Sequence, residues 1–436
     1  MKFLLLNQTF YPDVPATGQY LAEVASALAE RGHEVTVVTS RRAYDQPETK
    51  FAKAETWRGI RILRVASTGF GKGAKWRRAA DFASFMVCCA AKLATMQRYD
   101  AIVALTSPPL ISFLAAVLAK WRRSRFVYWV MDLNPDEAVA AGWLRSGSMV
   151  TRILEWMSRF SMKKAAKIVV LDRFMRERLL AKGIASEKIV ICPPWSLDGE
   201  VRFDQKGREV FRRANGLEGK FVVMYSGNHS PCHPLDTLVA AARRMADDKQ
   251  VTFCFVGGGS EWRKIKTSLG NGQNGTTNVS ASQGNNKGPS PRPSPLPKGR
   301  GGIMASTSAP HVICLPYQPL DKLAGLLSAA DLHIVVMGQA FVGLVHPCKI
   351  YNILSIAAPV LCIGPTPSHL TEILSATNGQ YRYAIVPPDQ VEIVVEKIQA
   401  FRAQSNSPRP PLPDHVRAGF ARITILPRLI TELEGN

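Results

Sequence analysis

Long apolar runs are missing from this sequence of 436 residues. No stretch of about 18 residues is free of both charge and proline, which excludes a protein that spans a membrane several times. The apolar residues Phe3–Leu6 are followed at once by polar residues and Tyr11-Pro12. We therefore interpret them as a first β-strand and not as a signal peptide.

Paired cysteines are also missing. The eight cysteines are scattered along the chain, form no C-x-x-C pair, and in several cases lie in apolar runs. This distribution excludes a disulfide framework and a cysteine-based zinc site. It is typical of reduced thiols, so we expect a cytoplasmic protein.

Acidic residues are scarce. The chain has 55 Lys and Arg but 34 Asp and Glu, and its formal net charge of +21 indicates an anionic partner such as nucleic acid, a phosphorylated substrate or an acidic membrane surface. The excess is concentrated in residues 1–195, which hold 30 basic and 16 acidic residues. The basic clusters there adjoin apolar stretches and comprise Lys72/Lys75/Arg77/Arg78, Lys120/Arg122/Arg123/Arg125 and Arg159/Lys163/Lys164/Lys167.

Strand and helix patterns alternate along the chain. Short apolar runs such as Val35–Thr39, Ile60–Val65 and Phe221–Ser226 are typical of buried strands, and Tyr20–Arg31 has apolar residues at helical spacing. This βαβ alternation predicts an α/β fold with parallel sheets covered by helices. The pattern pauses near Pro193-Pro194-Trp195 and then restarts, so we predict two doubly wound domains.

The pause divides the chain into predicted segments. We predict a first domain over residues 1–198, a second over residues 199–395, and C-terminal helices over residues 396–436 that pack back toward the first domain. Residues 268–310 interrupt the second domain, because they are rich in Gly, Asn, Ser and Pro and contain no acidic residue. Such a segment cannot bury a core, so we expect a disordered insertion in a surface loop. A proline-rich ligand for a partner domain is the alternative.

Glycine-containing turns follow several predicted strands, where doubly wound sheets bind their ligands. A loop ending at Gly18 follows the first strand, and Gly227-Asn228-His229 follows the restart strand. Gly257-Gly258, with Glu261, follows the next one. Backbone N–H groups in these turns are candidates for phosphate binding, and simple tight turns are the alternative. None matches G-x-x-x-x-G-K-[ST] or G-x-G-x-x-G, which disfavours a P-loop ATPase and a dinucleotide-binding dehydrogenase.

A lysine lies near the start of another predicted helix. The segment Gly343–Asn352 opens a helix that we predict to run to Ile356, with Lys349 in its first turns. A helix N-terminus and an ammonium group both attract a diphosphate, so Lys349 is our candidate for that role. A lysine on a solvated face is the alternative.

Six segments match a known family pattern. They are the N-terminal stretch from Phe10-Tyr11-Pro12 through Gly18 to Val37, Tyr225-Ser226-Gly227-Asn228, Gly257-Gly258-Gly259, Leu315-Pro316-Tyr317-Gln318-Pro319, Ala329-Ala330-Asp331-Leu332-His333 and Pro347-Cys348-Lys349-Ile350-Tyr351-Asn352. With them the chain resembles the family-4 glycosyltransferases of the GT-B fold, in particular the bacterial branch that builds O-antigen and colanic acid. The resemblance covers nearly the whole chain outside residues 268–310.

The resemblance implies two Rossmann-like domains that face a cleft. It implies transfer of a sugar from a nucleotide diphosphate sugar, held mostly by the second domain, to a lipid-linked or growing polysaccharide acceptor. The implied donor contacts are Gly18, Gly227, Asn228, His229, Gly257, Gly258, Glu261, Lys349 and Asn352. Such enzymes typically need no metal and retain the anomeric configuration, so we expect no cofactor besides the nucleotide sugar.

The chain departs from the family pattern in two places. Many members have glutamates where this chain has Leu344 and Asn352, which motivates an alternative: a catalytically inactive GT-B scaffold in a polysaccharide assembly complex. The basic pair usual after the restart strand is replaced by a segment that contains His229 and His233. We interpret these histidines as substitutes for the basic pair, with ordinary loop histidines as the alternative.

An acidic segment follows a strand of the first domain. It contains Asp132, our candidate for the base or for a contact with the acceptor hydroxyl. Asp136 and Glu137 follow in the same segment, and capping of the next helix is the commoner use of acids at such positions.

Two apolar stretches with tryptophan and arginine at their ends indicate a lipid-facing surface. Residues 82–91 follow Trp76-Arg77-Arg78, and Leu110–Leu118 precede Trp121-Arg122-Arg123. Such helices suit the headgroup layer, so we predict peripheral association with the anionic inner face of the cytoplasmic membrane. Buried helices with basic ends are the alternative. We expect no nucleic-acid partner, since no recognition motif accompanies the charge.

Overall fold

The computed structural model of the protein describes residues 1–435 except residues 14, 45, 47, 72–74, 197–200 and 270–309. The predicted insertion at 268–310 therefore lies almost entirely outside the described residues, and its disorder stays a prediction. Within the described part of the chain, no helix is long and apolar enough to cross a membrane.

Eight strands form the sheet of the first domain. They are β1 (Lys2–Leu6), β2 (Glu34–Ser40), β3 (Ala54–Trp57), β4 (Ile60–Val65), β5 (Ala101–Ala104), β6 (Arg125–Trp129), β7 (Lys167–Val170) and β8 (Ile189–Ile191). Their order is β3-β4-β2-β1-β5-β6-β7-β8, and the pairing is parallel except between β3 and β4. The central strand β1 is an unbroken apolar run, as expected for a parallel strand covered on both faces, and Leu4, Leu5 and Leu6 are fully buried.

Six helices connect these strands. They are α1 (Ala16–Glu30), α2 (Lys75–Ala94), α3 (Ile111–Arg122), α4 (Asp136–Ala140), α5 (Met149–Lys164) and α6 (Arg173–Ala181). On one face, α2 packs beside α3 and α3 beside α5. The apolar stretch on α3 is largely core, since Ile111 and Ala115 have no exposed surface, whereas Phe85 and Cys89 are the only buried side chains among residues 82–91 of α2. The buried-helix alternative therefore describes most of the α3 stretch but not most of the α2 stretch.

Six strands form the sheet of the second domain, and all of them are parallel. They are β9 (Phe221–Asn228), β10 (Val251–Gly258), β11 (Val312–Leu315), β12 (Leu332–Val336), β13 (Val360–Ile363) and β14 (Tyr383–Val386), in the order β11-β10-β9-β12-β13-β14. The helices that follow the first domain are α7 (Gln205–Ala214), α8 (Asp236–Arg244), α9 (Trp262–Leu269), α10 (Leu323–Ser328), α11 (Lys349–Ser355), α12 (His369–Ser375), α13 (Val391–Ala403), α14 (Asp414–Ala418) and α15 (Arg422–Glu434). The predicted fold class, α/β with two parallel-sheet domains, is confirmed.

The last helices divide between the two domains. α13 packs on α8 and β14 of the second domain, whereas α15 packs on α1 and β5 of the first. Arg125 of β6 donates to the carbonyl oxygen of Glu432 at 2.7 Å, and Arg31 pairs with Glu434 at 2.8 Å. The helices of the segment predicted at 396–436 therefore do not all pack against the same domain, and α15 is the one that packs back on the first domain.

Candidate active site

The candidate site lies in the cleft where the carboxyl ends of the two sheets face each other. The domains touch there directly, since the backbone N–H of Leu133 donates to the carbonyl oxygen of Leu344 at 2.8 Å. Gly343 has a φ of +73°, and a Cβ at this residue would lie 2.6 Å from the carbonyl oxygen of Phe174. Glycine is therefore needed for this close approach of the two domains.

Lys349, the first residue of α11, is a buried cation in this cleft. Its Nζ has no hydrogen-bond partner among the described residues and lies 3.7 Å from the ring centroid of Tyr225, a cation–π contact. Burial lowers the pKa of Lys349 to about 7, because the low-dielectric surroundings disfavour the charged form. A Cβ on Gly227, whose φ is +128°, would lie 2.9 Å from Nζ. The site thus holds an ammonium group that an anionic ligand would stabilise.

Two strand ends approach each other unusually closely beside this lysine. β9 and β10 pair in register, with Gly257 opposite Gly227 and Gly258 opposite Asn228. A Cβ on Gly257, at a φ of +133°, would overlap the carbonyl oxygen of Gly227. A Cβ on Gly258 would lie 3.1 Å from the ring of Tyr317. The absence of side chains here leaves backbone at the cleft surface, as predicted for a site that a ligand approaches closely.

The two histidines after β9 are neutral; His229 is buried and His233 is half-buried. His229 Nδ1 lies 3.2 Å from the carbonyl oxygen of Gly258, and its ring packs against Trp262 with centroids 4.5 Å apart. Burial, and after it the charge of Lys349, lowers the pKa of His229 to about 4 and that of His233 to about 3. Neutral rings do not supply the positive charge of a basic pair, but each keeps one N–H group that can donate to a phosphate oxygen. The role of these histidines as phosphate donors in place of that pair stays a prediction.

The remaining predicted donor residues lie around this group. The backbone N–H of Glu261 donates to the carbonyl oxygen of His229 at 3.0 Å, while its carboxylate pairs with Lys264 at 2.6 Å. Asn352 follows Lys349 by three residues on α11, so the two side chains share one side of the helix. The structure places Gly18 inside α1.

Gly18 packs α1 closely against the loop after β1. A Cβ on Gly18 would lie 3.1 Å from the carbonyl carbon of Thr9, a contact tighter than most real Cβ contacts. The glycine predicted to approach the diphosphate thus also allows close packing of the first helix against its own loop.

Asp132 lies beyond the carboxyl end of β6 and is half-buried. Burial, and after it the negative charge of Glu137, raises the pKa of Asp132 well above its usual range. Burial, and after it the charge of Asp132, raises the pKa of the Cys348 thiol to about 12. Cys348 also interacts with Tyr20 of α1. Because Cys348 directly precedes Lys349, the structure brings α1, Asp132 and the start of α11 together.

Glu137 is a second half-buried carboxylate beside Asp132. No side chain caps α4, so the capping interpretation of Glu137 is wrong. Its carboxylate instead accepts a hydrogen bond from Asn134 Nδ2 at 3.2 Å and one from Cys232 Sγ of the second domain at 3.7 Å. Burial raises the pKa of Glu137, and these two hydrogen bonds oppose the rise. Two neighbouring, partly desolvated carboxyl groups titrate as a pair, a property suited to holding or accepting a proton.

A polar cluster that sequence reasoning missed joins the two domains. His346 Nδ1 lies 2.7 Å from Asp172 Oδ2, and His346 Nε2 lies 2.7 Å from the Tyr351 hydroxyl, so both ring nitrogens are hydrogen-bonded. The His369 ring stacks on His346 with centroids 3.9 Å apart. Asp172, His346 and His369 form a group whose donor atoms could hold a metal ion. No sequence spacing brings these residues together, since they come from three separate elements.

The parallel sheets, the cleft between their carboxyl ends and the buried lysine define a protein of the GT-B glycosyltransferase class. Residues 16–195 match the model of the glycosyl transferase 4-like domain family. With the relatives below, this match confirms the predicted resemblance to family-4 glycosyltransferases of the O-antigen and colanic acid type, and it covers most of the first domain.

Relatives and solved structures support the same class. The chain is 24% identical, over 92% of its length and 91% of the other protein, to WcaI of Escherichia coli K12, which is described as a putative colanic acid biosynthesis glycosyl transferase. Its fold is similar to that of sucrose-phosphate synthase from Thermosynechococcus elongatus, with a TM-score of 0.69 and 15% identity over 100% of this chain and 98% of the other. It is also similar to HepE of Anabaena in complex with UDP and glucose, with a TM-score of 0.64 and 14% identity over 100% of both chains.

Proposed function

We propose that this glycosyltransferase moves a sugar from a nucleotide diphosphate sugar to a lipid-linked or growing polysaccharide acceptor in cell-surface polysaccharide biosynthesis. WcaI is described as acting in colanic acid biosynthesis, and HepE binds UDP and glucose. Both descriptions support a nucleotide sugar as the donor and a polysaccharide as the product. No observation favours the alternative of an inactive scaffold.

The observation that carries the proposal is the buried Lys349 with its unpartnered Nζ facing Gly227. A diphosphate between the two domains would supply the counter-charge that the lysine lacks, and the ammonium would stabilise the charge that develops on the leaving nucleotide. Asp132, with Glu137 beside it, would accept the proton of the acceptor hydroxyl.

A thermal-shift screen with UDP, GDP, dTDP and their sugars tests the donor site. A ligand that binds only the folded protein raises its apparent stability, so one nucleotide family should raise the unfolding temperature. The same ligand should raise it much less in Lys349→Met. The proposal fails if no nucleotide raises the unfolding temperature of the wild-type protein, or if the nucleotide raises that of Lys349→Met by the same amount.

We also propose that transfer retains the anomeric configuration and needs no metal, as in the family that the chain resembles. The positive charge of Lys349 stands where other enzymes use a cation. Proton NMR of the anomeric signal of a newly formed product tests retention, and an inverted signal contradicts it. Addition of EDTA should leave the initial rate unchanged, and a rate restored only by a divalent cation contradicts a metal-independent reaction.

Peripheral association with the anionic inner membrane face is a further part of the proposal. Large apolar side chains remain exposed on the neighbouring helices α2, α3 and α5: Trp76, Val87, Val117, Trp121, Met149, Val150, Ile153 and Trp156. Basic side chains accompany them, and Arg122 lies 3.9 Å from the ring centroid of Trp121. Apolar and basic groups on one face suit an anionic headgroup layer. Flotation with anionic vesicles at low salt tests it, and absence of binding contradicts it.

A further inference from the structure

Three side chains with metal-ligand chemistry meet at the junction of the two domains. Asp172 precedes α6 of the first domain, His346 lies in the loop before α11, and His369 is the first residue of α12. Their donor atoms, one carboxylate oxygen and two ring nitrogens, all lie within 4.8 Å of one another. These three residues form the junction site, and none of them belongs to the predicted donor site.

The spacing of the donor atoms is close to that of a zinc site. Asp172 Oδ2 lies 2.7 Å from His346 Nδ1 and 3.7 Å from His369 Nδ1. Zn²⁺ binds carboxylate oxygen and imidazole nitrogen at about 2.0–2.2 Å, so two ligand atoms of a tetrahedral site lie about 3.3 Å apart. The two observed distances lie on either side of this value. Side-chain shifts of about half an ångström would therefore accommodate the ion.

His369 is buried without a hydrogen bond. Its side chain belongs to a residue that is 3% exposed, and neither ring nitrogen has a hydrogen-bond partner among the described residues. A buried polar group without a partner costs free energy, and a metal ion would supply the missing contact. The ring stacks on that of His346, so it must turn about its Cβ–Cγ bond to direct Nδ1 at the ion. It has no hydrogen bond to lose in that turn.

The other two ligands are already oriented by hydrogen bonds outside the junction site. Asp172 Oδ1 accepts from the backbone N–H of Met175 at 2.8 Å, which leaves Oδ2 for the ion. His346 Nε2 lies 2.7 Å from the Tyr351 hydroxyl, so the ring is held at the nitrogen that would not bind the ion. A hydrogen bond at the second ring nitrogen is typical of metal-bound histidines, because it sets both the tautomer and the ring orientation.

We propose that Asp172, His346 and His369 bind one divalent transition metal ion of the Zn²⁺ type, which ties the two domains together. Two imidazoles and one carboxylate suit Zn²⁺, with a water molecule as the fourth ligand, whereas Mg²⁺ prefers oxygen ligands. Binding releases to solvent the proton that His346 Nδ1 shares with Asp172. The ion would stabilise the domain junction and take no part in the sugar transfer, which we propose to be metal-independent.

Titration of the untagged full chain with Co²⁺ and Zn²⁺, after removal of bound metal by a chelator, tests the proposal. We expect one Co²⁺ per chain, with the visible absorption of a four-coordinate ion. Zn²⁺ should raise the unfolding temperature, because the ion binds the folded protein at a site that the unfolded chain lacks. Mg²⁺ should give neither signal. Absence of stoichiometric binding of both Co²⁺ and Zn²⁺ overturns the proposal.

Two variants of the second domain assign the ion to the junction site. Tyr351→Phe keeps all three ligands but removes the hydrogen bond to His346 Nε2, so it should weaken Co²⁺ binding about tenfold. His369→Gln removes a ligand and should weaken it further. His415→Gln is the matched control, because His415 is an exposed histidine on α14 of the same domain. Unchanged Co²⁺ affinity in Tyr351→Phe and His369→Gln, or an equal loss in His415→Gln, overturns the site.

Asp172→Asn tests whether the ion joins the domains. Asp172 is the one ligand from the first domain, and asparagine keeps the cap of α6, so this variant remains informative if His369→Gln does not fold. Zn²⁺ should no longer raise its unfolding temperature. A full rise would mean that the ion binds within the second domain alone and would overturn the proposed tie. Nucleotide-induced stabilisation, measured in the presence of a chelator, reports separately on the proposed function.

Discussion

At the scale of single residues, the Lys349 ammonium nitrogen is shielded from solvent and has no counter-ion in the part of the chain that the structure describes. Its lowered pKa has a stability cost: below about pH 7 the folded protein keeps a buried charge that the unfolded chain exposes to water. Between that pH and the usual lysine pKa, the unfolded state binds the extra proton, so stability rises with pH. Lys349→Met should therefore unfold at a higher temperature than the ligand-free wild-type protein at pH 7, as a thermal melt of both proteins would measure.

The same pKa predicts a pH dependence of donor binding. The protonated lysine attracts a diphosphate and the neutral lysine does not, so nucleotide affinity should fall as the pH rises from about 6.5 to about 8.5, on either side of the pKa of about 7. Calorimetry at several pH values measures this fall. Lys349→Met should bind weakly with a flat profile, and an equal slope in the variant would show that another group titrates.

Asp132→Asn should separate chemistry from binding. Loss of a group that accepts a proton lowers turnover by about 10²–10⁴-fold, while nucleotide affinity should stay unchanged. Because the pKa of Asp132 is raised, the folded state keeps this proton to a higher pH than the unfolded chain does. The folded protein therefore loses stability as the pH rises. The asparagine variant should therefore be at least as stable as the wild-type protein at about pH 8.

Asp136→Asn is the matched control for Asp132→Asn. Asp136 belongs to the same acidic segment but pairs with Lys182 at 2.7 Å, outside the buried carboxyl pair. Its variant should keep turnover within a few-fold of the wild-type value. Equal losses in both variants would contradict a role for Asp132 in proton transfer.

At the scale of elements, the pairing of β9 with β10 depends on glycine. Gly257→Ala would combine a strained φ with a Cβ that overlaps the carbonyl oxygen of Gly227, so strand separation or backbone distortion must follow. Gly216→Ala is the control, because Gly216 also has a positive φ, of +64°, but a Cβ there would have no neighbouring atom within 4 Å. Urea unfolding should give a loss of about 1 kcal/mol for Gly216→Ala and a clearly larger one for Gly257→Ala. Equal losses would contradict the close strand contact.

The exposed apolar side of α5 was not predicted from the sequence, although α5 carries Ile153 and Trp156 at 52% and 59% exposure. Ile153→Ser combined with Trp156→Ser should reduce binding to anionic vesicles, because both apolar groups would leave the lipid boundary. Ile423→Ser removes a side chain that is 83% exposed on α15 and should leave vesicle binding unchanged. Flotation measures both, and equal binding by all forms contradicts a role for α5.

At the scale of the whole molecule, the cluster of Asp172 and His346 holds the two domains together. Burial by itself would raise the pKa of Asp172, but the hydrogen bond and charge of His346 lower it to about 2. A lowered carboxyl pKa means stability that is present above the unfolded value and is lost as the pH falls toward the folded one. The cluster should therefore stabilise the protein at neutral pH.

Asp172→Asn tests this contact between domains. Asparagine keeps the ability to cap α6, which Asp172 does through the backbone N–H of Met175 at 2.8 Å, and removes the charge. We expect a loss of about 2 kcal/mol at neutral pH, from the size of the pKa change, that shrinks as the pH falls from about 5 toward about 2. Urea unfolding at these pH values measures it, and a loss independent of pH would contradict the ionic contribution.

The sequence by itself determined the elements whose signal is local. The strand at Ile60–Val65 was predicted with the bounds that the structure has, because it is a short apolar run. β3 and β8 were missed: the residues of β3 are mostly exposed, and β8 is apolar but only three residues long, too short a run to predict a strand. α1 begins four residues before its prediction, at Ala16, since its first turn carries no periodic signal.

The sequence also determined which glycines lie at strand ends and which lysine lies at a helix start, because adjacent residues define these positions. Only the tertiary structure decided what surrounds them. The desolvation of Lys349, the neutralisation of His229 and the pairing of Glu137 with Asp132 depend on which distant segments share one low-dielectric cleft. Desolvation is set by packing and not by sequence spacing. For the same reason the cluster of Asp172, His346 and His369 has no linear signal: it exists where two domains, folded from separate parts of the chain, meet.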